Sequence, residues 1–231
     1  MTLGILTAMQ KEHDQIASLL QDRHTEGDKF TYTVGTIGSA TIVLRQCGIG
    51  KVNAAVGTAE LIRTYRPDCV ISTGVAGGID TCLNVMDVVV STALVHHDFD
   101  LTSWGLGKGE IQDMPRFFYA GEQLVAAARA LNSPIIHTGL IATGDQFITS
   151  RAEQQAIKQE FPDALACDME SAAIAQTCYI YSVPFVSFRI ISDTPGADAH
   201  QQQYDNFWEE MANRSFHITH EYLTALIQSP L

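Results

Sequence analysis

The sequence predicts an α/β fold, a three-layer α/β/α sandwich around a central mixed, largely parallel β-sheet. Short apolar runs alternate with helical stretches of about 10–15 residues, which is typical of strands joined by crossover helices. Near the N-terminus, two strand-like runs are separated only by Gly38-Ser39, which predicts a hairpin and makes the sheet mixed. No linker interrupts this alternation, so we predict a single domain over residues 1–231.

The first part of the chain alternates from its first residues. Leu3–Leu6 is a short apolar strand, and Glu12–Leu20 is the helix that follows it. Phe30–Ile37 and Ala40–Gln46 are the two strands of the hairpin. Lys51–Tyr65 is the clearest amphipathic helix, because its apolar side chains recur at three- and four-residue steps.

The rest of the chain repeats strand and helix. The β-branched and apolar runs predict strands at Cys69–Thr73, Asp87–Val95, Ile135–Thr143, Leu165–Asp168 and Phe185–Ser192. Helical spacing predicts helices at Glu122–Leu131, Arg151–Glu160, Ser171–Tyr179 and Tyr204–Ile227. Ser103–Met114 is a long polar, glycine-rich segment and therefore a candidate functional loop.

Composition and charge restrict the class of partner. Hydrophobic residues make up 46% of the chain and charged residues 17%, which indicates a globular protein. A formal net charge of −12 argues against binding to a nucleic-acid backbone, which needs a basic surface. No apolar run reaches the roughly 20 residues of a membrane helix, and the first apolar run is too short for the core of a secretory signal. We therefore expect a cytoplasmic protein that binds neither membrane nor nucleic acid.

Several well-known motifs are absent. Gly48-Ile49-Gly50-Lys51 resembles a phosphate loop only faintly, because Arg45 stands at its first glycine and Val52 replaces the magnesium-binding Ser or Thr. No G-x-G-x-x-G follows the first strand, which excludes a dinucleotide-binding dehydrogenase. The eight histidines form no metal-ligand spacing. We expect neither a cofactor nor a metal.

Carboxylates gather where the predicted strands end. Glu12, the pair Asp168 and Glu170, and Asp193 all follow strands, and ligands of open α/β sheets bind beyond these ends. Arg189 lies inside the apolar run Phe185–Ser192, where an unpaired charge is costly. The pattern indicates a binding site that Arg189 helps to organise.

At these residues the chain resembles the bacterial 5′-methylthioadenosine/S-adenosylhomocysteine nucleosidases of the nucleoside phosphorylase superfamily. The resemblance runs from Leu3 into the C-terminal helix and implies a nucleoside phosphorylase-like fold. Six ordered blocks carry it: Gly4-Ile5-Leu6-Thr7-Ala8-Met9 with Glu12, Gly48-Ile49-Gly50-Lys51-Val52, Thr73-Gly74-Val75-Ala76-Gly77-Gly78, Thr143-Gly144-Asp145-Gln146-Phe147-Ile148, Asp168-Met169-Glu170, and Arg189-Ile190-Ile191-Ser192-Asp193.

The resemblance implies hydrolysis of an N-glycosidic bond by two carboxyl groups. Adenine is a poor anionic leaving group, and Asp193 matches the acid that protonates its N7, with Ser192 orienting that acid. Glu12 matches the base that deprotonates water on the other face of the ribose. To act as the acid, Asp193 must carry a proton near neutral pH.

The resemblance also assigns substrate contacts. Glu170, with the Met169 backbone beside it, matches the group that holds the ribose hydroxyls, and Arg189 lies near the water and ribose. Phe147 matches the ring that stacks on adenine, and the backbone of Ile148 matches the group that reads the edge of the base.

The apolar wall around the 5′ substituent is implied in the same way. Met9, Ile49 and Phe207 match its residues in one subunit. A homodimer partner would complete the wall with the segment Leu101–Pro115, which contributes Leu101 and Trp104.

Two departures from the family bear on substrate preference. Val75 lies at the site where many members have serine, and Leu106–Met114 differs in sequence. Both leave the preferred 5′ group open among methylthioadenosine, S-adenosylhomocysteine, 5′-deoxyadenosine and an aminofutalosine-type nucleoside.

Two other functions remain as alternatives. Phosphorylases of this superfamily carry a phosphate-binding arginine near the glycine turn, whereas Ser72 occupies that region here, which favours water as the nucleophile. A non-catalytic nucleoside-binding protein on the same fold would not need Glu12, Glu170 and Asp193 together.

Overall fold

The computed structural model describes residues 1–194 and 200–228, and within these residues ten strands join one mixed sheet. The strands are β1 (Thr2–Thr7), β2 (Gln21–Glu26), β3 (Tyr32–Ile37), β4 (Ala40–Gln46), β5 (Cys69–Gly78), β6 (Val88–His96), β7 (Phe118–Tyr119), β8 (Ile136–Thr143), β9 (Ala164–Asp168) and β10 (Phe185–Asp193). The α-helices are α1 (Gln10–Ala17), α2 (Lys51–Tyr65), α3 (Glu122–Ala130), α4 (Arg151–Glu160), α5 (Ser171–Tyr181), α6 (His200–Asn206) and α7 (Ala212–Gln228). A π-helical turn, Phe207–Met211, joins α6 to α7.

The sheet has an open wing and a closed part. Strands β10, β6, β8, β9 and β5 follow one another, and β5 also pairs with β10, so these five close into a ring. From β5 the wing continues through β1, β4 and β3 to β2 at the edge. The long pairings are parallel, with eight residue pairs for β5–β10, whereas the antiparallel ones have five or fewer. The predicted α/β class and mixed sheet are confirmed.

Alternation along the central strands places helices on both faces. On β1, Leu3 and Ile5 pack into the core that faces α1, α3 and α7, whereas Leu6 packs into the core that faces α2 and α5. Gly4 lies under Leu61 of α2, and a Cβ at this glycine would approach the Leu61 methyl group to 2.6 Å. The three-layer arrangement therefore follows from the period-two pattern of the buried strands.

Two strands are absent from the sequence prediction. Strand β2 is polar and exposed at all six positions, so it has no alternation to detect, and it is held by its backbone pairing with β3. Strand β7 has only two residues and pairs with β6. The predicted hairpin is confirmed, since Ile37 pairs with Ala40 around a left-handed Gly38 (φ 55°).

The last helix also differs from the sequence prediction. The predicted Tyr204–Ile227 is interrupted at the π-helical turn, which shifts the side-chain register between α6 and α7. No helix in the described part of the chain is long and apolar enough to cross a membrane.

Candidate active site

A cleft opens where β1, β5, β9 and β10 end, and the empty space in it and at its open mouth is about 630 Å³. Four carboxylic acids line it together with apolar and glycine residues. The lining residues are Ala8, Met9, Glu12, Ile49, Val75, Ala76, Gly77, Gln146, Phe147, Ile148, Cys167, Asp168, Met169, Glu170, Ser192, Asp193 and Tyr204. The cleft therefore brings most of the predicted site residues together at the sheet edge expected for an α/β fold.

Glu12 is held by backbone amides at both carboxylate oxygens. It lies in the first turn of α1 and is 1% exposed. The amides of Ala8 and Met9 each donate to Oε2 at 2.9 Å, and the amide of Val75 donates to Oε1 at 3.0 Å. Burial raises the pKa of Glu12, although Arg189 and these amides oppose the shift. The carboxylate is fixed in orientation and able to take up a proton.

Gly74 makes room for this arrangement. Its φ of +152° is in the range that favours glycine, and a Cβ there would overlap Glu12 Oε1 and approach Arg189 Nη1 to 2.7 Å. A side chain at position 74 would displace the carboxylate, the guanidinium or both. The glycine at this position within β5 is thus required by the two charged side chains beside it.

Arg189 lies beneath the cleft, 1% exposed, and is paired with two carboxylates. Its Nε lies 2.9 Å from Asp168 Oδ2, and its Nη2 lies 3.7 Å from Glu170 Oε2. Nη2 also donates to Ser72 Oγ at 2.9 Å. A buried guanidinium needs such partners, so Arg189 organises the carboxylates of the site.

Glu170 is a carboxyl group whose pKa is raised into the neutral range. Burial raises its pKa to about 7, while Arg189 acts in the opposite direction and Asp168 adds to the increase. Its Oε1 accepts a hydrogen bond from the amide of Gly50 at 3.0 Å. Near neutral pH the group can either donate to or accept from a hydroxyl in the cleft.

Asp193 ends β10 and is 3% exposed. Ser192 Oγ lies 2.8 Å from its Oδ2 and 3.3 Å from the carbonyl oxygen of Ala76. A serine has one hydrogen to donate, so it donates to Asp193 when that carboxyl is ionised. When the carboxyl is protonated, Ser192 accepts from it and donates to Ala76. The serine therefore suits a carboxyl that changes protonation state.

The apolar wall includes one residue that the sequence analysis missed. Tyr204 lines the cleft, its ring meets Phe147 edge-on with centroids 5.5 Å apart, and its hydroxyl donates to Met9 Sδ at 3.3 Å. Phe207, which was predicted to form this wall, is 1% exposed in the core and is absent from the described lining. The two aromatics are three residues apart, and helical spacing alone did not distinguish them.

Leu101 and Trp104 stand apart from the cleft in this chain. Leu101 precedes the short 3₁₀ turn Thr102–Trp104, and Trp104 ends it with a side chain that is 70% exposed. Neither is among the described residues that line the cleft. Their predicted role requires a second subunit.

The ionisable side chains that line the cleft include four carboxylic acids. None of the described lining residues is Lys, Arg or His. In the part of the chain that the structure describes, no group of three or more His, Cys, Asp or Glu side chains could hold a metal ion.

Known proteins share this fold and sequence over nearly full length. The phosphorylase superfamily model matches residues 2–226. A 5′-methylthioadenosine/S-adenosylhomocysteine nucleosidase of Hydrogenovibrio crunogenus is 38% identical, over 98% of this chain and 99% of the relative. The nucleosidase of Colwellia psychrerythraea, solved with adenine, is 37% identical with a TM-score of 0.90, over 98% of this chain and 96% of that one. The nucleosidase of S. pneumoniae, solved with a transition-state inhibitor, is 34% identical with a TM-score of 0.91, over 98% of this chain and 100% of that one. The chain therefore belongs to the phosphorylase superfamily, within the family of 5′-methylthioadenosine/S-adenosylhomocysteine nucleosidases.

Proposed function

We propose that this protein hydrolyses the N-glycosidic bond of 5′-methylthioadenosine, S-adenosylhomocysteine and related 5′-substituted adenosines. The products are adenine and the 5′-substituted ribose, and water is the nucleophile. One observation carries the proposal: two carboxyl groups meet the same cleft at points two residues apart on β5. Glu12 accepts from Val75, and Asp193 pairs with Gly77. Both carboxyl groups line this cleft, so an acid and a base can act on a substrate that binds there.

Asp193 acts as the general acid and Glu12 as the general base. Asp193 protonates N7 of adenine while the C1′–N9 bond breaks, and the Ser192 hydroxyl follows its change of protonation state as described above. Glu12 takes a proton from the attacking water, and its raised pKa brings it closer to the value at which a base works near neutral pH. Because backbone amides hold both oxygens, the carboxylate needs little reorganisation.

The remaining residues hold the substrate. Glu170 binds the ribose hydroxyls with the Met169 backbone, and Arg189 keeps that carboxylate in place. Phe147 stacks on adenine, and the Ile148 backbone reads its edge.

The 5′ substituent takes the apolar end of the cleft. Met9, Ile49 and Val75 line it, together with Tyr204 in the role that the sequence assigned to Phe207. We also propose a cytoplasmic location, which suits a chain whose five cysteines are all free thiols.

Release of free adenine tests the activity itself. Purified protein incubated with methylthioadenosine, S-adenosylhomocysteine, 5′-deoxyadenosine and an aminofutalosine-type nucleoside is expected to release adenine from at least the first two, measured by chromatography. The relative kcat/KM values rank the 5′ groups. Unchanged nucleosides after prolonged incubation would identify a binding protein instead.

The nucleophile is tested by omitting phosphate. A phosphate dianion would enter a cleft that contains carboxylates and, among its described lining residues, no cationic side chain. Ser72, at the phosphorylase arginine region, accepts a hydrogen bond from Arg189. We expect the same rate of adenine release with and without phosphate, and a free reducing sugar as the product. A ribose 1-phosphate formed in phosphate buffer, detected by ³¹P NMR, would establish a phosphorylase.

We further propose a homodimer whose subunits complete each other's cleft. Large apolar side chains are exposed on α2 and in the Thr102–Trp104 turn, with Val52 at 75% and Trp104 at 70% exposure. Exposed apolar patches of this kind mark contact surfaces.

Sedimentation is expected to give about twice the chain mass of 25.2 kDa. Val52→Asp is expected to weaken the dimer and adenine release together, and full activity of a monomer at micromolar concentration would contradict the shared cleft.

A further inference from the structure

The start of α2 and two loops beside the cleft are joined by one set of charged groups outside the catalytic machinery. Lys51, Asp98 and Asp145 follow β4, β6 and β8 respectively, and we call them the loop clamp. Lys51 Nζ lies 2.7 and 2.8 Å from the two carboxylate oxygens of Asp98. The amide of Asp145 donates to Asp98 Oδ2 at 2.9 Å, and the amide of Lys51 donates to Asp145 Oδ1 at 2.8 Å. Each residue is therefore bonded to both of the others through a side chain or a backbone amide.

The clamp also completes the N-terminus of α2. Gly50 is the N-cap residue and has no side chain to accept from the first amides of the helix. Asp145 accepts from Lys51 instead, and Glu170 accepts from Gly50. Two carboxylates from other loops thus neutralise the positive end of the helix dipole. This links the clamp to the carboxylate assigned to the ribose.

The clamp lies close in sequence to two side chains that both line the cleft. Ile49 precedes the helix start and is 51% exposed, and Phe147 comes two residues after Asp145 and is 48% exposed. Side chains that are half exposed receive limited support from core packing, so the hydrogen bonds of their loops set their positions. Phe147 has the additional edge contact with Tyr204.

We propose that the loop clamp is a positioning device that sets the width of the cleft between Ile49 and Phe147 and thereby the affinity for the adenine nucleoside. This inference rests on the proposed function, because it assigns Phe147 to the base. The clamp does not hold the groups that perform the chemistry. Glu12 is fixed by the amides of Ala8, Met9 and Val75, and Asp193 belongs to β10 with Ser192 beside it.

The test separates affinity from turnover. Lys51→Met, Asp98→Asn and the double variant are expected to raise KM for methylthioadenosine by about tenfold while kcat changes by less than about threefold, since charge-assisted hydrogen bonds are lost only from the binding loops. The dissociation constant of adenine, measured by calorimetry, is expected to rise in parallel. The double variant should be no weaker than the worse single variant, because both remove one interaction. Lys51→Arg keeps the charge and is expected to retain most of the affinity.

A matched ion pair elsewhere serves as the control. Lys158 and Asp80 also lie 2.7 Å apart, with side chains 27% and 26% exposed against 22% and 20% for Lys51 and Asp98. Lys158→Met and Asp80→Asn are expected to leave KM and adenine binding unchanged. Equal effects from both pairs, or a fall in kcat with unchanged KM in the clamp variants, would overturn the proposal.

The outcomes also distinguish this proposal from the proposed function. If wild-type protein binds adenine but releases none from a nucleoside, the proposed function fails, and calorimetry of the clamp variants still tests the positioning role. If wild-type protein releases adenine and the clamp variants bind it normally, the clamp proposal alone fails. Wild-type protein that neither binds adenine nor releases it from a nucleoside would overturn both.

Discussion

Asp193→Asn is expected to lower turnover of methylthioadenosine by roughly 10²–10⁴-fold, the range typical of general acid catalysis, while nucleoside binding survives. Asparagine keeps the shape of the side chain and can still hydrogen-bond to Ser192, but it has no acidic proton to transfer to N7. The position is 3% exposed at the end of β10, so bulk water is a poor substitute for the missing acid. Steady-state kinetics give the loss, and calorimetry with adenine checks that the site is intact.

A leaving group that departs without protonation provides the specific control. With a nitrophenyl riboside that carries a 5′-thio group, the acid is dispensable, and Asp193→Asn is expected to recover much of its rate relative to wild type. Competition with adenine for this substrate verifies that the ribose sits in the same cleft. A variant that stays equally impaired with both substrates would show that Asp193 does not protonate the leaving group.

Glu12→Gln is expected to abolish turnover with both substrates, because the attacking water is left without a base. The structure adds a second reason. Both oxygens of Glu12 accept from backbone amides, so the NH₂ group of glutamine would face an N–H donor in either orientation. At a position 1% exposed, that mismatch costs about 1–3 kcal/mol of unsatisfied hydrogen bonding. The Glu12→Gln substitution therefore removes the base and also disturbs the turn Ala8–Met9.

The measurement compares the rates of Asp193→Asn and Glu12→Gln with methylthioadenosine and with the nitrophenyl riboside. Thermal unfolding of Glu12→Gln reports the structural part of its effect, and the kinetics with the nitrophenyl riboside report the catalytic part. Recovery of Glu12→Gln with the activated substrate, or equal recovery of both variants, would mean that the acid and base are assigned wrongly.

Much of the fold was accessible from local pattern. Helix α2 and strands β4, β5 and β10 have strong periodic or apolar signals, because α2 buries one face in one core and the strands bury side chains in the cores on both sides of the sheet. Strand β2 gave no signal, since its six exposed polar residues depend on the backbone of β3 rather than on burial. Closure of the ring between β5 and β10 joins residues more than one hundred positions apart, which no local window contains.

The sequence by itself determined the α/β class, the edge of the sheet where the site lies and the identity of its carboxylates, because strand periodicity and charged residues at strand ends are local properties. Only the tertiary structure decided which groups act together. It paired Arg189 with Asp168 and Glu170, placed backbone amides on both oxygens of Glu12, and put Tyr204 rather than Phe207 at the cleft. These outcomes depend on the approach of distant strands and on the register of a helix that passes through a π-helical turn. The physical reason is that hydrogen-bond partners and cleft-facing side chains are selected by distances of a few ångströms between segments that are far apart in the chain.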